Sequence, residues 1–434
     1  MDRRVARGLA PALACGLLLS GLGVGGAAPT EAAACRIATT LVLDPPERSF
    51  ELPGGATARI WDTGNLKQDI LEARFVAVTI PKGTLIPRAE TARTLTDKAT
   101  PQAQADPRAV VVINGAVFDP SGAAIPRRAQ ITDSFLRKAD SVTDQGLALY
   151  ENTRTAAFAQ HSLTGAVTAG PISIPIGSWN WQALSADGVT VYSHDWGPSN
   201  HPAGSRTLVV KGGVVTAVLM HKKQGKKRPP RNTYYLTAPD GSTSSASLGL
   251  IPAGTPVTLD AQETGTLDFE NGKPGLGAPD SLIGVSSALV RRSTNYAACN
   301  SRDNRLRPRS AIAWNANGDL IVAAISGRSH KGAMRSGGAS VSQWAEYLLH
   351  LGAVNAINLD GGTSTTLLVR RQLGGPLRRL DRDPKDTQAK VADSLTFLAP
   401  SAGEPAVVLN TGSSSGEPAT VAPSSAKTGA DRGE

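Results

Sequence analysis

Aromatic side chains are scarce: Phe, Tyr and Trp make up 4% of the 434 residues. That weakens a generic carbohydrate-binding module, which needs flat stacking platforms, although Trp179, Trp181 and Trp196 fall in one segment and form a candidate sugar-lining group. Cysteine is scarcer, with three residues, of which Cys15 lies in an N-terminal leader. Cys35 and Cys299 remain, enough for one bridge in an oxidising compartment but no proof of it; lipidation of Cys35 ranks below a bridge, since the usual Leu three residues before it is missing. Glycine and proline follow no fixed period, so collagen-like and coiled-coil readings fail. Beyond the leader no apolar run reaches the roughly 20 residues that a bilayer-spanning helix needs. No recognition helix, zinc finger or aromatic-interleaved RNA motif is present, and nucleic acid is not an expected partner.

The leader has the order of a secretory signal peptide. Arg3, Arg4 and Arg7 precede an apolar stretch from Leu9 to Val24, and Ala27, Ala28, Ala32, Ala33 and Ala34 follow. Export with cleavage is expected, and with it a secreted or wall-associated location and no stable membrane insertion. The rest of the chain can bury a large core: 40% of residues are hydrophobic and 19% charged, which excludes global disorder. Forty-five Gly and 29 Pro, with frequent Val, Ile and Thr, favour turn-rich β structure. The expectation is an α+β fold, a large mainly β domain with a few helices packed on the sheet. The divisions expected are a signal peptide over 1–34, an N-terminal β-rich part of the same domain over 35–104, a core over 105–400 and a disordered tail over 401–434.

Net charge is +9, or +8 once residues 1–34 are removed, which steers anionic partners toward the protein. The densest basic run, His221 to Arg231, interrupts a Thr/Val/Leu-rich region and reads as an exposed loop. Two motif matches lack context. Gly21 to Gly26 fits a dinucleotide-binding pattern inside the leader, and Gly412 to Gly416 fits a nucleophile elbow inside the Ser/Pro/Gly-rich tail.

Between residues 36 and 400 short apolar runs end in turn residues. Val110 to Ile113 is such a run, closed by Asn114-Gly115. Ala311 to Trp314, the turn Asn315 to Asp319, and Leu320 to Ile325 predict a β-hairpin, followed by Ser326-Gly327-Arg328. A helix is predicted next: Ser340 and Gln343 have capping-box spacing, Val341, Trp344, Ala345, Leu348 and Leu349 share a face, and Gly352 suits the stop. A buried strand Ala356 to Leu359 then leads into Asp360-Gly361-Gly362-Thr363-Ser364, and a further strand follows over Thr365 to Val369. An acid at a strand end beside two glycines free to take positive φ can be held rigidly over a cleft, or can simply cap a turn. Asn114, Arg309, Arg328 and Asp360 all mark strand ends, which suggests a shared rim.

Taken together and in order, Ile113 to Phe118, Arg307 to Ile312, Gly327-Arg328, and Leu351 through Ser364 resemble the phosphodiester glycosidase family over roughly residues 105 to 398. The resemblance implies hydrolysis of a sugar-1-phosphodiester to a free sugar and a phosphomonoester. A phosphate monoester, with a second pKa of about 6, leaves readily, so such a site needs fewer acids and more cations than an ordinary glycosidase. On this reading Asp360, Arg309 and Arg328 are the catalytic residues: the arginines bind the phosphate, and Asp360 acts at the sugar as base or as stabiliser of the cationic centre. Substrate binding falls to Asn114, Gly115, Gly361, Gly362, Ser364 and the auxiliary Arg307. The bland alternatives are rim ion pairs for the arginines, with Asp319 for instance, and a turn role for Asn114. The expected partner is a sugar-phosphate or anionic glycan, and no cofactor or metal is expected; His194, Asp195 and His201 lack ligand register. Departures from the family pattern at Ala116, Val117, Ser326 and Ser286-Ser287-Ala288 support a second reading, a wall or anionic-glycan binding protein without turnover.

Overall fold

A computed structural model describes residues 45–62, 73–119, 125–197, 202–221, 228–267, 278–285, 287–297, 305–327, 337–382 and 387–401, all within the unit Cys35–Glu434. The leader, Cys299, Arg328, His201, Ser286, most of the basic run and the tail beyond 401 lie outside the described residues. Among the described residues the fold is α+β and mainly β, with three sheets of eight, eleven and five strands.

Strand formation follows the residue pattern. In Ala73–Ile80, Val76 and Val78 point to one side, into a core shared with Val111, Ile113, Leu147, Leu149 and Ile283. Phe75 and Ala77 point to the other side, where they meet Trp344 and Leu348. This alternation fixes the register, because a slip of one residue exchanges the two faces. The first core takes residues from all three sheets and locks them together.

The predicted hairpin is present as Arg309–Asn315 paired with Leu320–Gly327, its turn made by Gly318 at φ 82° and by Asn315 N–H donating to Asp319 O at 3.1 Å. The helix Val341–His350 carries the expected capping box: Gln343 N–H donates to Ser340 Oγ and Ser340 N–H to Gln343 Oε1, both at 3.1 Å. Its buried Val341, Trp344, Ala345 and Leu348 pack on the eight-stranded sheet, and Gly352 follows at φ 88°. Among the described residues no helix is long and apolar enough to cross a membrane.

Candidate active site

Ends of strands from different sheets meet at one place. Ala109–Asn114 lies in the five-stranded sheet between Leu367–Val369 and Asp393–Leu398. Ala353–Asn358 lies in the eight-stranded sheet beside Arg309–Asn315. Backbone bonds stitch the ends together: Leu359 N–H donates to Ser310 O at 3.0 Å, Asp360 N–H to Gly115 O at 3.0 Å, Gly362 N–H to Pro308 O at 2.9 Å, and Asn114 N–H to Thr366 O at 3.2 Å. The Asp360 loop is therefore held from two sheets rather than by its own turn alone.

Asp360 is half-buried. Its Oδ1 accepts Gly361 N–H at 3.0 Å, and the Ser364 hydroxyl also bonds the carboxylate. Burial pushes the carboxyl above its ordinary value, against the pull of Ser364, Gly361 N–H and the charge of Arg127. Gly362 takes φ 66° with open space around its Cα, as a left-handed turn residue should. Gly361 does not share that conformation, φ being −122°; it is needed because a Cβ there would lie 2.7 Å from Pro308 O.

Asn114 does not face a substrate. It has no exposed surface, and its amide is spent inside: Nδ2 donates to Asp360 O at 2.7 Å, while Oδ1 accepts the Ser310 hydroxyl at 2.7 Å and Thr366 N–H at 3.1 Å. A neutral side chain with both donor and acceptor satisfies three separate strand ends at once, which is why Asn stands there. Gly115 likewise packs inward; a Cβ would sit 2.0 Å from Asp393 Oδ1.

Arg309 is 8% exposed, its Nε donating to Ala339 O at 3.0 Å and its Nη2 to Arg305 O at 3.1 Å. The chain runs close to the loop, Arg309 Cδ lying 3.8 Å from the Cβ position of Gly361. The structure thus brings Arg309, Asn114, Gly115, Asp360, Gly361, Gly362 and Ser364 together. Arg307 is exposed, its backbone bridging Ala339 in both directions.

Three residues not anticipated from sequence belong to this place. Asp393 is 1% exposed beneath Gly115, with Oδ1 accepting Ala116 N–H at 2.7 Å and Oδ2 accepting Gln130 Nε2 at 2.8 Å. Gln130 comes from the eleven-stranded sheet. Arg127 is exposed and acts on Asp360 through its charge. The tryptophan group is not a sugar platform: Trp179 and Trp196 are each 1% exposed, packed on Tyr234 and Tyr192, and Trp181 covers the Lys138 ammonium at 4.0 Å. Asp195 pairs with Arg137, and His194 Nδ1 meets Pro229 O at 2.8 Å. Among the described residues no group of three His, Cys, Asp or Glu is placed to hold a metal.

The Asp360 carboxylate thus stands at the meeting of strand ends, with the charge of Arg127 acting on it and Arg309 running close to its loop. Residues 204–398 match the family model for phosphodiester glycosidases. Among solved structures, a hypothetical protein from Synechocystis aligns over 82% of this chain at 25% identity with TM-score 0.60, and this chain spans 64% of that protein's length. A protein from Burkholderia pseudomallei described as exported aligns over 75% of this chain and 74% of its own at 19% identity, TM-score 0.54, which supports the fold. The zebrafish N-acetylglucosamine-1-phosphodiester alpha-N-acetylglucosaminidase catalytic domain, auto-inhibited by its pro-peptide, covers 81% of this chain and 87% of that one at 12% identity, with TM-score 0.39, too loose a superposition to carry argument. No curated relative matches the chain.

Proposed function

We propose that the protein hydrolyses the bond between an anomeric carbon and a phosphodiester, releasing a free sugar and a phosphomonoester. The observation that carries the reading is the half-buried Asp360 carboxylate, fixed by Gly361 N–H and Ser364 and tied through its own backbone to Gly115. Asp360 takes a proton from water as the water oxygen bonds to the anomeric carbon; the carbon–oxygen bond to phosphate breaks, and its electron pair leaves on the phosphate. General-base help of this kind contributes about 10²–10⁴-fold. The leaving group needs cations more than acids. Arg309, anchored by two carbonyls, and Arg127, exposed beside Asp360, supply fixed positive charge, and Arg328 belongs to the same reading from sequence.

The family match over 204–398 supports this chemistry. The leader and the net charge of +8 without it support export and an anionic wall or exopolymer glycan as substrate. The test is release of sugar from a chromogenic sugar-1-phosphodiester by wild type and by Asp360→Asn. The variant should keep its fold and lose at least about 100-fold in kcat/KM. Full turnover by the variant, or binding of the phosphodiester by wild type with no sugar released, overturns the reading, the second result favouring a binding protein.

A further inference from the structure

Asp393 opens the strand Asp393–Leu398 under the Asp360 loop, and the mechanism above gives it no task. It cannot meet a substrate, being 1% exposed, with one oxygen on Ala116 N–H and the other on Gln130 Nε2. Both donors are neutral. Of the charged groups around it, Arg137, from Phe135–Asp140, is bound through Nε to Asp195 Oδ2 at 2.6 Å and through Nη2 to the other oxygen. Lys138, opposite Gln130 in register, donates to Pro126 O. The strand Ala109–Asn114 brings no charged residue. On its other side Asp393–Leu398 pairs with Ile86–Thr91, where Thr91 stands opposite Asp393, Glu90 opposite Ser394 and Arg88 opposite Thr396. Asp360 is one peptide away: Gly115 N–H donates to Asp393 O at 3.0 Å, and Gly115 O accepts Asp360 N–H at 3.0 Å.

A buried carboxyl without a cation of its own, beside a second carboxyl, favours its neutral form. Gln130 can serve that form. Its Oε1 is buried and meets no hydrogen-bond partner among the described residues, so turning the amide over offers that oxygen to a proton on Asp393 Oδ2.

We propose that Asp393 is a positioning residue that works as a neutral acid, bracing Gly115 under the loop and leaving Asp360 as the negative charge of the site. This rests on the reading of Asp360 as the reacting carboxylate. The electrostatics agree. Burial pushes the Asp393 carboxyl up to about 7, and the charge of Asp360 adds to the rise, outweighing Ala116 N–H, Gln130 and Arg137. Ionisation of Asp393 at higher pH would set a second negative charge against Asp360 and disturb the turn that holds it.

The substitution that tests this is Asp393→Asn, neutral and of the same shape. The wild-type native state keeps a proton that an unfolded aspartate has already lost, so from about pH 5 to about pH 8 wild type should lose melting temperature relative to the variant. On a sugar-1-phosphodiester the variant should keep kcat/KM within about threefold at about pH 6 and lose the decline seen in wild type above about pH 7. Parallel melting curves, or a folded variant at least about 100-fold slower at about pH 6, overturn the proposal. Carboxyl-carbon NMR of wild type labelled at aspartate reads the same proton without a variant: a resonance titrating near 7 is expected, and none above about pH 6 refutes it. Wild type without turnover would sink the functional reading alone, since melting and NMR still decide the state of Asp393.

Discussion

Gly115→Ala isolates the contact on which the site rests. A methyl group at 115 would lie 2.0 Å from Asp393 Oδ1, 3.0 Å from its Cγ and 3.1 Å from its carbonyl carbon. The carboxyl must swing away, which strains a fully packed spot at about 1–3 kcal/mol. It also loosens the bond from Ala116 N–H, worth roughly another 1–3 kcal/mol when a buried donor is left unpaired. The two together predict a loss of about 2–6 kcal/mol, on the order of 2–7 °C in melting temperature for a chain of this size. Thermal and urea unfolding of the full chain measure it. The partner variant Asp393→Ala removes the carboxyl but leaves the backbone contact at 3.1 Å, so adding Gly115→Ala in that background should cost well under half as much. A Gly115→Ala protein that melts with wild type, or that loses the same stability in both backgrounds, would show that the contact does not set the turn.

Two further outcomes follow from the same geometry. Ser364→Ala and Arg127→Ala each remove a group that stabilises the ionised form of Asp360; its carboxyl then rises further, and the acid limb of kcat/KM should move to higher pH in both, with movement to lower pH refuting the assignment. Asn114→Ala leaves Thr366 N–H, the Ser310 hydroxyl and Asp360 O without their partner, and should cost roughly 3–5 kcal/mol in urea unfolding; a loss under about 1 kcal/mol would mean that other groups take over.

Local signals were enough for the hairpin Arg309–Asn315 with Leu320–Gly327 and for the helix Val341–His350, because a turn with Asn and Gly, a capping box and an apolar stripe are written in consecutive residues. Asp360 stood out for the same reason, an acid between a buried strand and two glycines. Asp393 did not. Its neighbours Val391, Ala392 and Leu395 read as an ordinary strand, and its importance comes from Ala116, 277 residues away in sequence. The one available signal was an acid set among Val391, Ala392 and Leu395. Asn114 was read as a rim residue because strand ends often are, yet its partner Asp360 lies 246 residues on, and that pairing turns it inward. Trp179 and Trp196 clustered in sequence and separated in space, each to its own aromatic neighbour. Long-range register decides such cases, and composition does not encode it.

The position of the Asp360 carboxylate is then a property of several strand ends and not of one loop. Asn114 and Gly115 hold Asp360 by side chain and backbone, Asp393 holds Gly115, and Gln130 holds Asp393, so the chain of contacts runs from the eleven-stranded sheet through the five-stranded sheet to the eight-stranded one. On the far side of the loop the buried pair Arg379 and Asp381, 3.0 Å apart, ties the next strand: Asp381 accepts Leu367 N–H at 2.8 Å and Arg379 donates to Thr365 O at 2.8 Å. Ser326, at the end of the hairpin, donates to Asp381 O and joins that clamp to the eight-stranded sheet. Residues linked in this way do not fail independently. Substitutions at Asn114, Gly115 and Asp393 should therefore be strongly non-additive, each one removing most of what the next could remove, while a change at exposed Arg127 adds to any of them. Rigidity built from distant segments keeps a single half-buried acid in place, which is what the proposed reaction asks of Asp360.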